Sequence, residues 1–330
     1  MVKRPSIAIA GAGSIGCFVG GVLADAGHDV RFLARAGMVA ACAEHGLRLT
    51  DYTGFDIHLT DLVMNDDPAV AFGGAGLILV CVKVGDTQDM ARHIARHAPE
   101  AQVVSLQNGV GNAPALRAVL TGADVRAGMV PFNVVTEGPC HMHRASSGDI
   151  LVEAGPIPDL SADPLQWLSV DNIEAVQWGK LLINLGNAIN ALSDMPLLDQ
   201  LHDRAWRALM ADQMAEALKV LKVAGIRPAK PTAVSPRLIP AILRLPTPLF
   251  RRVAAQMLTI DAHARSSMWD DLKRGRKTEI DALQGAILHL AEHHGRQAPL
   301  NARMRTLIRA AEAEGYGPPG LSVSQIRQLA

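Results

Sequence analysis

A glycine motif between an apolar run and a helical pattern constrains the fold of this chain more than any other feature. The run Ile7–Ala10 predicts a buried strand, and Gly11-Ala12-Gly13-Ser14-Ile15-Gly16 follows it directly and begins a helix. The first glycine permits a tight turn, the second lets the backbone approach a pyrophosphate, and the third lets helix pack on strand. The helix N-terminus adds amide donors and positive potential. Because strand, motif, helix and strand follow in order, we predict a dinucleotide site rather than a purely structural glycine turn.

The rest of the first half repeats this alternation of apolar runs and amphipathic stretches. Further buried strands are predicted at Val30–Ala34, Leu77–Lys83 and Val103–Gln107, with helical stretches at Thr87–His97 and Pro114–Leu120. Alternating strands and helices are typical of βαβ units and a parallel sheet. Val125–Thr136 and Asp149–Glu153 predict further strands that close this domain.

From about Trp178 the strand-like runs stop. Helical periodicity covers Lys180–Leu192, Arg204–Val223, Ile260–His294 and Ala302–Ala313. Six prolines between Pro228 and Pro248 predict an irregular excursion between helices. The predicted fold class is therefore α/β: a Rossmann-type doubly wound parallel sheet over residues 1–172, followed by an all-helical domain over residues 173–330.

Composition excludes several classes of function. The chain has 330 residues, 49% of them hydrophobic, and its 32 basic residues balance its 32 acidic ones. That balance gives no electrostatic reason to expect nucleic acid or an anionic membrane as a partner. Met1–Ser6 is basic, but glycines break the apolar run behind it, so neither a signal peptide nor a membrane span is predicted. Cys17, Cys42, Cys81 and Cys140 form no CxxC pair, and we predict free thiols in a cytoplasmic protein.

Three polar residues beyond predicted strand ends favour a particular dinucleotide. Arg35 follows the second strand, where NAD enzymes carry an acidic residue, and a guanidinium there suits a 2′-phosphate. Lys83 and Asn108 follow two later strands, and ligands of doubly wound sheets lie beyond such ends. The alternative for each of them is an ordinary solvated loop residue. Arg35 predicts NADPH (or NADP⁺) rather than NADH, while Lys83 is predicted to meet phosphate or ribose, and Asn108 a ring or a carboxylate.

A polar face on an otherwise apolar helix predicts the chemistry. Reduction of a ketone by hydride needs a group that neutralises the developing alkoxide, and a lysine ammonium both polarises the carbonyl and donates the proton. On one helix, Lys180, Asn184 and Asn187 fall within roughly 60° of one another. A snorkelling lysine with capping asparagines is the alternative; as a set, the three favour a polar pocket that holds a small-molecule substrate.

Two residues further along have competing interpretations. Ser267-x-x-Asp270 has the form of a capping box, so helix capping rivals substrate binding for Ser267. Glu279 lies in a charged run that is typical of a solvated face. On one straight helix the two would stand ~18 Å apart, which is too far for one small keto acid to contact both. We therefore expect one of them to bind the substrate carboxylate and the other the cofactor ribose.

These motifs resemble the ketopantoate reductases, also called 2-dehydropantoate 2-reductases. The resemblance covers nearly the whole chain and includes the glycine motif, Leu-Gln-Asn-Gly, Lys-x-x-x-Asn and Ser-Ser-Met…Thr-Glu-Ile-Asp in the family's order. It implies NADPH-dependent reduction of ketopantoate to pantoate for pantothenate synthesis. By resemblance, Lys180 is the proton donor, Asn108 contacts nicotinamide and substrate, and Asn184 and Ser267 hold the substrate. Arg35, Lys83, Glu279 and the Val134 backbone are the implied further cofactor contacts.

The chain departs from the family pattern at two substrate positions. The family's second asparagine falls on Ala188, so Asn187 takes that role only with a one-residue deletion, and a later family asparagine is Leu197. The proline-rich stretch is also longer than the family's. These departures leave another bulky 2-keto acid, of the mandelate or valine type, as the alternative substrate.

A non-catalytic sensor and a zinc enzyme are the two rival classes of function. A catalytically idle NADPH sensor would need no Lys180. His141-x-His143 and His293-His294 suggest zinc ligands, but no cysteine or carboxylate has metal-site spacing beside them, so no metal is predicted. An apolar face on a C-terminal helix leaves a homodimer possible.

Overall fold

Two compact units make up the chain, residues Met1–Ile173 and Glu174–Ala330. The computed structural model describes residues 5–229, 234–258 and 264–328. The strands of the first unit are β1 Ile7–Ala10, β2 Val30–Leu33, β3 Leu47–Asp51, β4 Asp56–Leu59, β5 Val63–Asn65, β6 Leu77–Val80, β7 Gln102–Ser105, β8 Val125–Met129, β9 Val134–Gly138, β10 His141–Arg144, β11 Ile150–Glu153 and β12 Trp167–Val170. Its helices are α1 Ser14–Asp25, α2 Ala36–His45, α3 Pro68–Phe72, α4 Thr87–His97 and α5 Asn112–Val119.

An eight-stranded sheet forms the centre of the first unit, in the order β12-β11-β8-β7-β6-β1-β2-β5. Every neighbouring pair from β8 to β5 is parallel, while β11 runs antiparallel to β8. The apolar strands β1 and β6 are buried along their whole length, as expected for a sheet with both faces covered. The predicted α/β class is confirmed, with one antiparallel pair that makes the sheet mixed.

A second sheet, of four strands in the order β4-β3-β10-β9, was not predicted. The stretch Val125–Thr136, predicted to be strand, is divided: it supplies β8 to the large sheet and the start of β9 to the small one. Pro131 lies between them and has no backbone N–H to continue a ladder. Two predicted strands also end early, β6 at Val80 and β7 at Ser105. Lys83 and Asn108 therefore lie in loops beyond the strands.

A disulfide joins Cys42 of α2 to Cys140, with Cα atoms 5.6 Å apart. The expectation of four free thiols is wrong for this pair. Its cause is a long-range pairing: β3 follows α2 directly and lies parallel to β10, which brings Cys140 against the last turn of α2. Cys17 and Cys81 are free, and burial raises the pKa of each thiol to about 12.

The second unit is helical in the part that the structure describes. Its helices are α6 Ile173–Asn184, α7 Gly186–Ser193, α8 Leu197–His202, α9 Arg204–Val223, α10 Ile239–Leu243, α11 Thr247–Val253, α12 Ser267–Lys273, α13 Ala286–His293, α14 Pro299–Glu314 and α15 Val323–Arg327. A π-helical turn, Asp281–Gly285, precedes α13. No described helix of either unit is long and apolar enough to cross a bilayer.

Two helices predicted as continuous are broken. Lys180–Leu192 is divided at Leu185 into α6 and α7. The prediction for Ile260–His294 begins outside the described residues, and within them α12 ends at Lys273, followed by Gly275 at a φ of +61°. Glycine adopts this left-handed conformation without steric cost, and the chain turns there.

The proline-rich stretch contains α10 and the start of α11, and its residues 230–233 lie outside the described part of the chain. The fully buried guanidinium of Arg207, on α9, holds this stretch. It donates to the carbonyl oxygens of Leu243 and Leu245 and to the hydroxyl of Thr247, at 3.1 to 3.3 Å. The irregular excursion is thereby fixed to the longest helix of the unit.

Candidate active site

In the first unit, the proposed cofactor residues follow four neighbouring strands that end at one edge. Ala10 at the end of β1 is level with Leu33 of β2 and Val80 of β6, and Val80 is level with Ser105 of β7. Adjacent strands lie ~4.8 Å apart, so β7, β6, β1 and β2 together span about 14 Å. The loops that follow them carry, in spatial order, Asn108, Lys83, the glycine motif and Arg35. This is the edge where doubly wound sheets bind ligands.

The glycine motif has the geometry of a phosphate-binding turn. Gly11 has a φ of +110°, and a Cβ there would lie 2.7 Å from the Val82 side chain. A Cβ on Gly16 would overlap the carbonyl oxygen of Gly11, so α1 can approach β1 only with glycine at this position. Gly13, the N-cap of α1, differs: a Cβ there would meet no protein atom within 4 Å. The space in front of the helix N-terminus is thus open on the protein side, which fits a pyrophosphate.

Arg35 lies at the N-cap of α2, and its side chain is 89% exposed. Its guanidinium is 3.9 Å from the carboxylate of Asp86, which lies in the 3₁₀ turn after Lys83. An exposed pair at that distance contributes little to stability. The guanidinium is therefore held only loosely, and an incoming phosphate can compete for it. Sequence reasoning did not find Asp86, because the contact depends on how two loops face each other.

Gln107 is a second residue that sequence reasoning missed, although it lies inside the quoted Leu-Gln-Asn-Gly motif. Its side-chain amide is buried and donates to the carbonyl oxygen of Val82 (3.1 Å) and to the hydroxyl of Thr87 (2.7 Å). It thereby ties the loop that carries Lys83 to the loop that carries Asn108. A glutamine as the last residue of the predicted apolar strand Val103–Gln107 was the available signal.

Val134 has a different location from the other residues predicted to bind the cofactor. It is the first residue of β9, where it pairs with Arg144 in the small sheet, and it packs against the core of the unit. A backbone contact from Val134 to the cofactor stays a prediction.

In the second unit, Lys180 is partly buried on α6. Burial lowers the pKa of its ammonium to about 8, and the carboxylate of Glu279 acts in the opposite direction. Glu279 is therefore close enough to act electrostatically on Lys180, and it is itself half-buried rather than part of a fully solvated face. The expected separation of ~18 Å between Ser267 and Glu279 assumed that both lie on one straight helix. The turn at Gly275 rules out such a helix.

Asn184 and Asn187 lie on either side of the helix break. Asn184 is the last residue of α6, one turn beyond Lys180, while Asn187 is in the first turn of α7. Both are partly buried. Lys180 and Asn184 share one face of α6, one turn apart, while Asn187 follows the break at Leu185, and its place on the same face stays a prediction.

The two serines before Met268 have distinct roles in the structure. Ser266 is the N-cap of α12, where its hydroxyl accepts from the backbone N–H of Trp269 at 3.2 Å. Ser267 is the first helical residue, and it is exposed. The capping interpretation of Ser267 is therefore wrong, because its neighbour performs that role.

Within the described ranges, no group of three histidine, cysteine or acidic side chains is arranged to hold a metal ion. The imidazoles of His141 and His143 both bind the hydroxyl of Thr50, at 2.9 and 2.8 Å. A hydroxyl can donate to one ring nitrogen and accept from another, so it satisfies both.

Comparison with known proteins decides the family. The model for "Ketopantoate reductase PanE/ApbA" matches residues 7–156, and the model for the C-terminal domain of the same family matches residues 172–312. This chain belongs to the ketopantoate reductase family. The 2-dehydropantoate 2-reductase of Halobacterium salinarum is 27% identical over 94% of this chain and 99% of its own length. That of Pyrococcus abyssi is 28% identical over 93% and 98%.

Solved structures agree with this membership. A ketopantoate reductase family protein from Ralstonia eutropha is 31% identical, with a TM-score of 0.78 over 94% of this chain and 99% of that one. A D-mandelate dehydrogenase solved with NADH and anilino(oxo)acetate has the same TM-score over 94% and 99%, but at 22% identity it shows the fold alone. As a member of the ketopantoate reductase family, the chain is an oxidoreductase of the class that acts on CH–OH groups. The family uses a nicotinamide cofactor, and its substrates are small keto acids.

Proposed function

We propose that this ketopantoate reductase family member reduces 2-dehydropantoate to pantoate with NADPH, and that Lys180 is the general acid. The observation that carries the proposal is the lysine itself: partly buried, one helical turn from Asn184, with a pKa lowered to about 8. A general acid works best when its pKa lies near the operating pH, and an ordinary lysine does not meet that condition.

Bound NADPH would supply the hydride for the carbonyl carbon. As charge develops on the carbonyl oxygen, the ammonium of Lys180 stabilises it and transfers a proton from Nζ, which yields the alcohol and a neutral lysine. Solvent then returns the proton to Nζ. The carboxylate of Glu279 favours this reprotonation, because it stabilises the charged form of Lys180.

The first unit would bind the cofactor. Its open glycine turn suits the pyrophosphate, and Arg35 suits a 2′-phosphate because its guanidinium is exposed and only weakly paired. Lys83 and Asn108 lie at the same strand edge, held in relation to each other through Gln107. Glu279 and the Val134 backbone are proposed as further cofactor contacts on family resemblance.

The second unit would hold the keto acid. Asn184, Asn187 and Ser267 are polar groups at helix ends, none of them fully buried. On family resemblance, Asn108 is proposed to contact nicotinamide and substrate. We expect Asn187→Ala to raise the KM for the keto acid more than it lowers kcat; an unchanged KM would show that Asn187 does not replace the family asparagine at Ala188.

A second candidate is reduction of another bulky 2-keto acid, and Leu197 favours it. Its apolar side chain replaces a family asparagine, and its backbone N–H already donates to the carbonyl oxygen of Ala264 at 2.9 Å. On family resemblance, this position would offer a substrate an apolar side chain in place of an amide. A branched aliphatic or aromatic keto acid would lose less there than a substrate that carries a hydroxyl group.

NADPH oxidation with ketopantoate and a panel of branched and aromatic 2-keto acids tests both candidates. Preference for ketopantoate supports the first, and turnover of another keto acid alone supports the second. In either case Lys180→Ala should lower turnover by roughly 10²- to 10⁴-fold, whereas the exposed Lys222→Ala should not. Tight NADPH binding without any turnover would instead identify a cofactor sensor.

Two expectations about the protein in the cell belong to the same proposal. One relative, from Staphylococcus aureus, is described as a dimeric ketopantoate reductase. We expect a homodimer, which sedimentation equilibrium would test, and a cytoplasmic location, which fractionation would test.

A further inference from the structure

Asn190, on α7, makes three hydrogen bonds while fully buried. Its amide nitrogen donates to the carbonyl oxygen of Met195 (2.8 Å) and to the side-chain oxygen of Gln200 (3.0 Å). Its amide oxygen accepts from the backbone N–H of Ser266 (2.8 Å). The third bond is the unusual one, because it crosses 76 positions in sequence and reaches the N-cap of another helix.

Three further contacts join the same two regions. The hydroxyl of Ser266 donates to the carbonyl oxygen of Asn187 at 3.1 Å. The Arg265 guanidinium donates to the carbonyl oxygen of Asp194 at 2.6 Å, and the Leu197 amide donates to Ala264. Residues 264–266 are thus bound, one after another, to α7 and to the residues just beyond it. We call the pair Asn190 and Ser266 the α7–α12 clamp.

A second buried amide supports the clamp from behind. Gln200 is fully buried, and its side-chain nitrogen donates to the hydroxyl of Ser193 (2.7 Å) and to the carbonyl oxygen of Ile189. Its oxygen is thereby turned towards Asn190. Buried polar networks of this kind fix one arrangement, because each alternative leaves a donor or acceptor without a partner.

We infer that Asn190 and Ser266 are positioning residues that hold Asn187 and Ser267 at a fixed separation. The inference rests on the proposed function, which makes those two residues substrate contacts. Ser266 bonds directly to Asn187 and adjoins Ser267, while Asn190 holds the backbone of Ser266. Misplacement of a binding group by about 1 Å can cost ~100-fold in rate, so a buried device that sets this spacing has a catalytic consequence.

The test compares Asn190→Ala and Ser266→Ala with Asn301→Ala. Asn301 is also fully buried in the second unit, where its amide nitrogen donates to Glu216 at 2.8 Å, so it is a matched control for the loss of a buried amide. We expect both clamp variants to raise the KM for the keto acid by about tenfold or more, with NADPH affinity within about twofold of the wild type. The control should lower the melting temperature yet leave this KM unchanged.

Hydrogen exchange supplies a readout that does not depend on activity. In Asn190→Ala, the Ser266 amide and the first turn of α12 should exchange faster than in the wild type, and in Asn301→Ala they should not. Unchanged KM in both clamp variants, or unchanged exchange at Ser266, would overturn the inference. If the wild type reduces no keto acid, the proposed function fails, and the exchange result alone decides whether Asn190 holds α12. If Asn190→Ala does not fold, Ser266→Ala carries the kinetic test.

Discussion

At the residue scale, the proposed role of Lys180 as general acid predicts how activity depends on pH. A general acid is active when protonated, so kcat/KM for keto acid reduction should be high below a pH of about 8 and fall as the pH rises through that value. Glu279 raises this pKa, and its replacement by the neutral Glu279→Gln should move the descending limb to lower pH. Initial rates at saturating NADPH check this. The matched control, Glu292→Gln, removes an exposed carboxylate and should not move the limb.

The pairing of Arg35 with Asp86 leads to a prediction about cofactor choice. Because Asp86 lies 3.9 Å from the guanidinium and would repel a phosphate bound to it, Asp86→Asn should strengthen NADPH binding a few-fold. Arg35→Glu should weaken NADPH binding far more than NADH binding, because only NADPH has a 2′-phosphate. Fluorescence titration with both cofactors measures this, and NADH is the internal control. Equal effects on the two would remove Arg35 from the phosphate site.

At the scale of elements, Arg207 holds α10 and α11 against α9. Arg207→Leu would leave several buried carbonyl oxygens without a donor, among them those of Leu243 and Leu245. We expect it to lower the free energy of unfolding by about 2–5 kcal/mol, because each buried carbonyl oxygen left without a donor costs about 1–3 kcal/mol. Chemical denaturation measures the loss. Arg204→Leu, an exposed change on the same helix, should stay within about 0.5 kcal/mol of the wild type.

The disulfide between α2 and the β9–β10 hairpin predicts a thiol count. Protein purified without reductant and then unfolded should show two reactive thiols, Cys17 and Cys81, and four after reduction. Closing a loop with a sequence separation of 98 removes up to about 4 kcal/mol of chain entropy from the unfolded state. Cys42→Ser should therefore lower the melting temperature under oxidising conditions only. Four reactive thiols in the unreduced protein would contradict the pairing.

The bounds of individual helices could be predicted where amphipathic periodicity was the dominant signal in the sequence. Thr87–His97 and Arg204–Val223 are helices over the predicted residues, since amphipathic periodicity over many residues has few alternatives. The breaks at Leu185 and Gly275 were not predicted, because neither position carries a proline and helical periodicity continues on both sides. Those breaks placed Asn187 on its own helix and Glu279 near Lys180.

At the scale of the whole molecule, local signals failed wherever distant segments combine. The small sheet joins β3 and β4 to β9 and β10, which are strands of only four or five residues. No pattern within either pair of strands indicates that the other pair is its partner. The same pairing produces the disulfide. Of the candidate site, the residue types and their loops followed from motifs and resemblance. Asp86, Gln107, Asn190 and Ser266 did not, because their roles depend on contacts between loops and helices.

The pairing of β3 with β10 also bears on how the protein is made. During translation, β3 leaves the ribosome well before β10. Cys42 and Cys140 are 98 positions apart, and at ~5–20 residues per second a stretch of that length takes about 5–20 seconds to synthesise. During that time the nascent chain carries β3 with one edge uncovered, and such an edge can pair with another chain. The small sheet therefore cannot form completely during translation until residue 144 has left the exit tunnel. Chaperones that shield exposed strands would act in that interval.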